Sequence, residues 1–169
     1  MNNPMIDRYR RWFSYEKDVH QKALASFESV PMEQRSSAAY QKALDLFGHL
    51  ASARLMWLYR FGIREKSISQ LFPTGLTLED VTLLLDEMHA DWTKYLADLR
   101  DDELSRYFEY QSMDAGRFRS SIDDILTQLF GHSWYHRGQI ASLVKTIGGT
   151  PAITDFVYWS REPISPENE

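Results

Sequence analysis

Residues 121–149 read SIDDILTQLFGHSWYHRGQIASLVKTIGG. Ser121 stands where a helix N-cap stands, with Asp124 at the capping-box position three residues on. The apolar run behind it reads as one long helix to about Ile147, and Gly148-Gly149 stops it. Inside sits LFGH, residues 129–132, and the same four letters recur at 46–49 in a second apolar run. A glycine costs a helix interior about 1 kcal/mol relative to alanine, so each copy needs a reason. The expected reason is packing. A glycine has no Cβ and lets a neighbouring helix come close, beside a histidine turned inward from a surface that Leu and Phe help bury.

Working outward, a helix is predicted from about Ser37 to Phe61. Leu44, Phe47, Leu50, Ala51, Leu55 and Leu58 recur at steps of three and four, and Gly62 is its stop. Upstream, Asn3-Pro4 reads as an N-cap with proline at the first helical position. That first helix runs to about Ser29, its stripe of Tyr9, Trp12, Phe13, Val19 and Ala23 broken only by Glu16, and Val30-Pro31 ends it. Residues 63–76 read as a loop. Thr77, with Glu79 and Asp80 in the first turn, starts a third helix that continues to about Leu99. Tyr107-Phe108-Glu109-Tyr110 has strand propensity and Asp114-Ala115-Gly116 is turn-like, which predicts a short hairpin before the fourth helix. The tail after Pro151 is expected to lie over the helices. The sum is an all-α fold, a four-helix bundle in one domain over residues 1–169. The short link between the first two helices predicts that they are antiparallel neighbours.

The composition narrows function. The formal charge is −5 and no basic run occurs, which argues against a nucleic-acid binder. There is no cysteine, so neither a disulfide nor a protein thiol takes part. The first residues lack a signal-peptide stretch and no apolar run is long enough to span a membrane. These features together predict a cytoplasmic protein.

Of the five histidines, His132 and His136 are four apart, which puts both imidazoles on one helix face. Ser133, not Glu, follows His132, so the metalloprotease pattern is absent. His49, mid-helix in an apolar surround, is the best third ligand. Three imidazoles plus water form the open site of a catalytic metal. The alternative is three buried, hydrogen-bonded core histidines, and spacing does not choose between the two. His89 is read as solvated or hydrogen-bonded, and Glu16 is expected to pair with His20 across one turn. Trp57, Tyr59, Trp134 and Tyr135 are pocket candidates, Trp57 the best of them. Asp45 and Gln128 each precede a candidate ligand by four residues and could orient an imidazole or simply be solvated. Neither Tyr135 nor Gln139 makes a clear general base.

The segment HSWYHRGQIASLVKTIGGTPAITDF, with YRRWF near the N-terminus and LFGHLASARLMWLYRF in the second helix, resembles the DinB family over essentially the whole chain. The resemblance implies an up-down-down-up four-helix bundle and a divalent metal held by His49, His132 and His136. Zinc, nickel and iron all suit imidazole, so the ion stays open. It also implies a metal-dependent enzyme, a thiol S-transferase or a hydrolase, acting on a small molecule in damage-inducible stress response or detoxification. A low-molecular-weight thiol would then be a cosubstrate. A non-catalytic metal-binding bundle is the other implied role, and a homodimer the implied assembly. Arg137, Gly138 and Gln139 match the family's segment, with Gly138 expected to admit a close helix and Arg137 to make surface or interface contacts.

Overall fold

Side chains that the sequence places at the starts of three long helices do cap them. Ser37 Oγ accepts from the Tyr40 amide, Thr77 and Asp80 form a full capping box, and Ser121 Oγ accepts from the Asp124 amide. The computed structural model describes residues 5–112 and 116–164. The Asn3-Pro4 cap and the Asp114-Ala115 part of the predicted turn lie outside the described residues. Within them run α1 (Met5–Ser26), α2 (Ala38–Arg60), α3 (Leu78–Asp98), α4 (Ile122–Thr146) and a short α5 (Phe156–Ser160). A hairpin of β1 (Tyr107–Gln111) and β2 (Arg117–Ser121) precedes α4, as predicted. Gly62 (φ 74°) and Gly148 (φ 81°) adopt the left-handed conformation that ends α2 and α4.

The helix directions follow from contacts at the helix ends. Arg10 at the start of α1 donates to the carbonyls of Leu96, Ala97 and Leu99 at the end of α3, so these two helices are antiparallel. The end of α3 has no basic residue of its own, and Arg10 satisfies the carbonyls that a helix C-terminus leaves unpaired. Tyr9 OH donates to Asp123 at 2.7 Å near the start of α4, and Ser29 Oγ accepts from the Thr150 amide beyond its end, so α1 and α4 are parallel. Gln41 reaches Leu76 just before α3 and Phe61 stacks on Tyr95 near its end, so α2 and α3 are parallel. The chain runs up, down, down, up.

One expectation fails. α1 packs on α3 and α4, and α2 packs on the same two, so α1 and α2 face each other across the diagonal of the bundle. The link over residues 27–37 holds two 3₁₀ turns, Phe27–Ser29 and Met32–Gln34. Phe27 and Val30 bury beneath it, and Arg35 ties it down through the Val30 and Glu28 carbonyls. A diagonal of roughly 13 Å, from neighbours 8–10 Å apart, lies well within the reach of that many residues. Shortness in sequence therefore did not force adjacency.

The core is filled by Phe27, Phe47, Leu55, Leu58, Leu85, Met88, Trp92, Leu126 and Phe130, all essentially inaccessible. Through it passes a polar layer, of which only Glu16 showed in the sequence as a break in an apolar stripe. Glu16, His20, Arg54, Ser133 and Arg137 are buried. Glu16 pairs with Arg54 of α2 and not with His20. The Arg54 guanidinium also lies over the rings of Phe130, Trp92 and Phe13 at 4.7, 5.1 and 5.6 Å. His20 instead meets His89 (Nδ1 to Nε2, 3.0 Å) and Ser133 Oγ (3.3 Å). Burial pulls both rings down, His20 well below its ordinary value and His89 to about 4, so the pair is neutral near pH 7.

Candidate metal centre

α2 and α4 are packed neighbours, and their antiparallel run sets His49 level with His132 and His136. His49 Nε2 lies 3.2 Å from His132 Nε2, and His136 Nε2 lies 3.0 Å from the same atom. The ligand atoms of all three fall within 4.8 Å of one another, and the group could hold a metal ion. His49 is buried and the other two are half-buried.

The other ring nitrogens explain the orientation. His49 Nδ1 donates to the Leu71 carbonyl at 2.7 Å, and His136 Nδ1 donates to Gln139 Oε1 at 2.7 Å. A carbonyl oxygen only accepts, so in the neutral rings both protons sit on Nδ1 and both Nε2 atoms present a lone pair. His132 Nε2 faces both. It carries at most one proton, so one of the two contacts always lacks a donor. A cation removes that frustration. Metal–imidazole bonds of about 2.1 Å in tetrahedral geometry need nitrogens roughly 3.4 Å apart, close to the observed spacing. The donor set thus fits an imidazole-ligated divalent ion.

Electrostatics agree. Burial lowers the pKa of His49, although its bond to Leu71 acts the other way. Burial first, then His136, His49 and Arg54, takes His132 down to about 4. Both rings are therefore unprotonated near pH 7, the form that binds metal. Phe72 stacks on the His49 ring at 4.4 Å. A surface pocket of about 360 Å³ opens beside His49 between Leu46, Lys42, Phe72 and Pro73, and neither His132 nor His136 lines it.

Several expectations need correction. Asp45 orients no imidazole: its Oδ1 accepts from Gln41 Nε2 and from the Leu76 amide, which anchors the loop that supplies the Leu71 carbonyl. Gln128 is exposed. Trp57 packs against Phe61, Phe108 and Tyr110 at the hairpin, away from the histidines. Tyr59, Trp134 and Tyr135 are exposed, the last with its ring 5.1 Å from that of His136. Arg137 is buried and makes no surface contact. Gln139, one turn from His136, is the orienting residue; its i+3 spacing was a usable signal. Leu71 gave none, because a main-chain carbonyl contributes no letter to a motif.

The glycines also divide. A Cβ at Gly48 would come within 2.2 Å of Leu76 Cδ1 and 3.1 Å of Pro73 Cγ, so this glycine admits a loop and not a helix. Gly131 and Gly138 have nothing within 4 Å, so no close approach requires either. Gly131→Ala should therefore stabilise the fold by about 0.5–1 kcal/mol, the ordinary helix preference for alanine. Gly48→Ala should gain less or lose, because Leu76 must shift. Urea unfolding of the two variants checks this, and equal gains would show that the Leu76 contact is without consequence.

The fold and the site together define a helical bundle with a three-imidazole group able to hold a metal ion. The chain belongs to the DinB family, whose model matches residues 1–166. It is 21% identical over 160 residues to Protein DinB of Bacillus subtilis (strain 168), covering 90% of this chain and 93% of that protein. No solved structure matches it significantly. No helix among the described residues is long and apolar enough to cross a membrane.

Proposed function

We propose that His49, His132 and His136 hold a divalent metal ion and that the centre serves a metal-dependent transferase of the thiol S-transferase kind. The observation that supports this most is the convergence of three Nε2 atoms with two of the Nδ1 protons already committed elsewhere. Core histidines satisfied by hydrogen bonds would not aim three acceptor-capable nitrogens at one point. Three neutral imidazoles leave a coordination position open, and an ion bound there supplies Lewis acidity toward a thiol or water.

A thiol is preferred to water on the family resemblance and on its lower intrinsic pKa. Among the described residues no carboxylate is hydrogen-bonded to any of the three imidazoles. A three-imidazole ion can bring a bound water to a pKa of about 7 without a carboxylate, so hydrolysis is the second reading. A thiol of pKa about 8.5 needs far less help than water at about 15.7. The chain has no cysteine, so the thiol is a small-molecule cosubstrate. Zinc, nickel and iron remain equivalent choices by ligand chemistry. The homodimer and the role in stress response or detoxification belong to this reading and rest on the family resemblance.

The test is elemental analysis of protein purified without a histidine tag, followed by thiol consumption with a panel of small electrophiles. About one divalent ion per chain and metal-dependent turnover are expected. Less than a tenth of an ion per chain, unrestored by added metal, overturns the reading. Full occupancy without turnover favours the non-catalytic metal-binding role.

A further inference from the structure

α4 carries two polar stripes side by side. His132 and His136 form one. Ser133 and Arg137 form the other, about 100° around the helix. From Phe130 to Ile140 the only buried side chains on α4 between those two are Ser133 and Arg137, while apolar residues fill the inner face above and below. In the two turns that bear the histidines, the inward contacts of α4 are therefore polar. Apolar packing is non-directional, whereas hydrogen bonds weaken steeply off axis. These contacts set a rotation angle in a way that the flanking leucines and isoleucines do not.

The contacts lead to α1 and the tail. Arg137 Nη2 donates to Tyr15 OH at 2.7 Å, and its guanidinium lies 5.0 Å from that ring. Tyr15 OH donates onward to the Thr154 carbonyl, and Phe156 and Trp159 pack on the ring edge-on at 5.1 and 5.8 Å. Ser133 Oγ meets His20 Nε2 at 3.3 Å. We propose that Tyr15, Ser133 and Arg137 are positioning residues of the metal centre: they fix the rotation of α4, and so the point where the Nε2 atoms of His132 and His136 meet that of His49. The proposal rests on the metal reading above.

Magnitudes support the claim. An imidazole tip stands about 6 Å from the helix axis, so a rotation of about 10° moves it roughly 1 Å. Metal sites tolerate about 0.2 Å in ligand distance. None of the three belongs to the group of ligand atoms, so each would act through α4.

The test uses Co²⁺ bound to the full chain, with affinity and visible absorption bands as readouts. Tyr15→Phe keeps the ring packing on Phe156 and Trp159 and removes the link to Arg137. Arg137→Lys keeps the charge and loses the planar fork. Each should weaken Co²⁺ binding about tenfold or more and shift the bands, in line with other outer-shell losses, with helical content unchanged. Val144→Ala, an apolar cavity on the same helix, should lower the melting temperature and leave the Co²⁺ spectrum unchanged. If Arg137→Lys fails to fold, Tyr15→Phe carries the test. Variants that match the parent within twofold overturn the positioning claim alone, as does a Val144→Ala spectrum displaced as far as theirs. A parent that binds no Co²⁺ overturns the metal reading and this claim with it.

Discussion

His132→Ala is expected to abolish stoichiometric metal binding and leave the bundle folded. His132 is the hinge of the trio, since its Nε2 is the atom within 3.0–3.2 Å of both other ligand nitrogens. Loss of an outer-shell partner weakens metal binding 10–100-fold, so loss of the central ligand should cost more than about a hundredfold. The fold should survive because the ring is half-buried and, with its pKa lowered to about 4, neutral near pH 7, so its removal strands no buried charge. His136→Ala should behave alike. Competition with a chelator reads the affinity, and circular dichroism reads the helix content. Complete unfolding of either variant, with a parent whose stability ignores metal, would mark the three as core residues.

Glu16→Ala is expected to remove a large share of the stability. The carboxylate is fully buried, and so is the guanidinium it pairs with. Burial raises the Glu16 pKa and lowers that of Arg54, and their mutual attraction opposes both shifts. Removal of one partner leaves the other charged and unpaired inside the bundle, a loss of about 3–5 kcal/mol. A domain of this size has about 5–15 kcal/mol in total. Replacing both, as Glu16→Met with Arg54→Leu, should restore stability to near the parent. Among the described residues Glu16 Oε1, Arg54 Nη1 and Arg137 Nε and Nη1 have no hydrogen-bond partner in the protein. Urea unfolding measures both variants. A loss below 1 kcal/mol in Glu16→Ala would show that the pair is not energetically buried.

How much of this was legible depends on how far apart the determinants lie. Helix boundaries are local, and Ser37, Thr77, Ser121, Gly62 and Gly148 announced them correctly. The His132/His136 pair is local too, and His49 joined it as a mid-helix histidine in an apolar surround, a choice the family resemblance then supported. Glu16 was visible as a break in a stripe, but its partner is 38 positions away on the diagonally opposite helix. Periodicity assigns a face to a residue and says nothing about what stands opposite. The same limit hid the α1–α2 diagonal, which the end-of-bundle turns decide. It also hid the Leu71 carbonyl, supplied by a loop. The glycines were misread because a missing Cβ is compatible both with close approach and with open solvent. Only the surroundings distinguish Gly48 from Gly131.

The up-down-down-up order separates His49 from His132 by 83 positions, with α3 and the hairpin between them. The centre therefore cannot assemble on a local helical hairpin; α2 and α4 must meet across the whole intervening chain. In kinetic language, ligand convergence is a contact of high sequence separation, whose loop closure costs entropy. An ion that binds only the native state stabilises it by mass action, by about 2.7 kcal/mol at a hundredfold excess over Kd. Under the metal reading, that stabilisation applies to the closed four-helix ring as one cooperative unit. Metal supply would then govern how long the folded protein lasts as well as whether it is loaded.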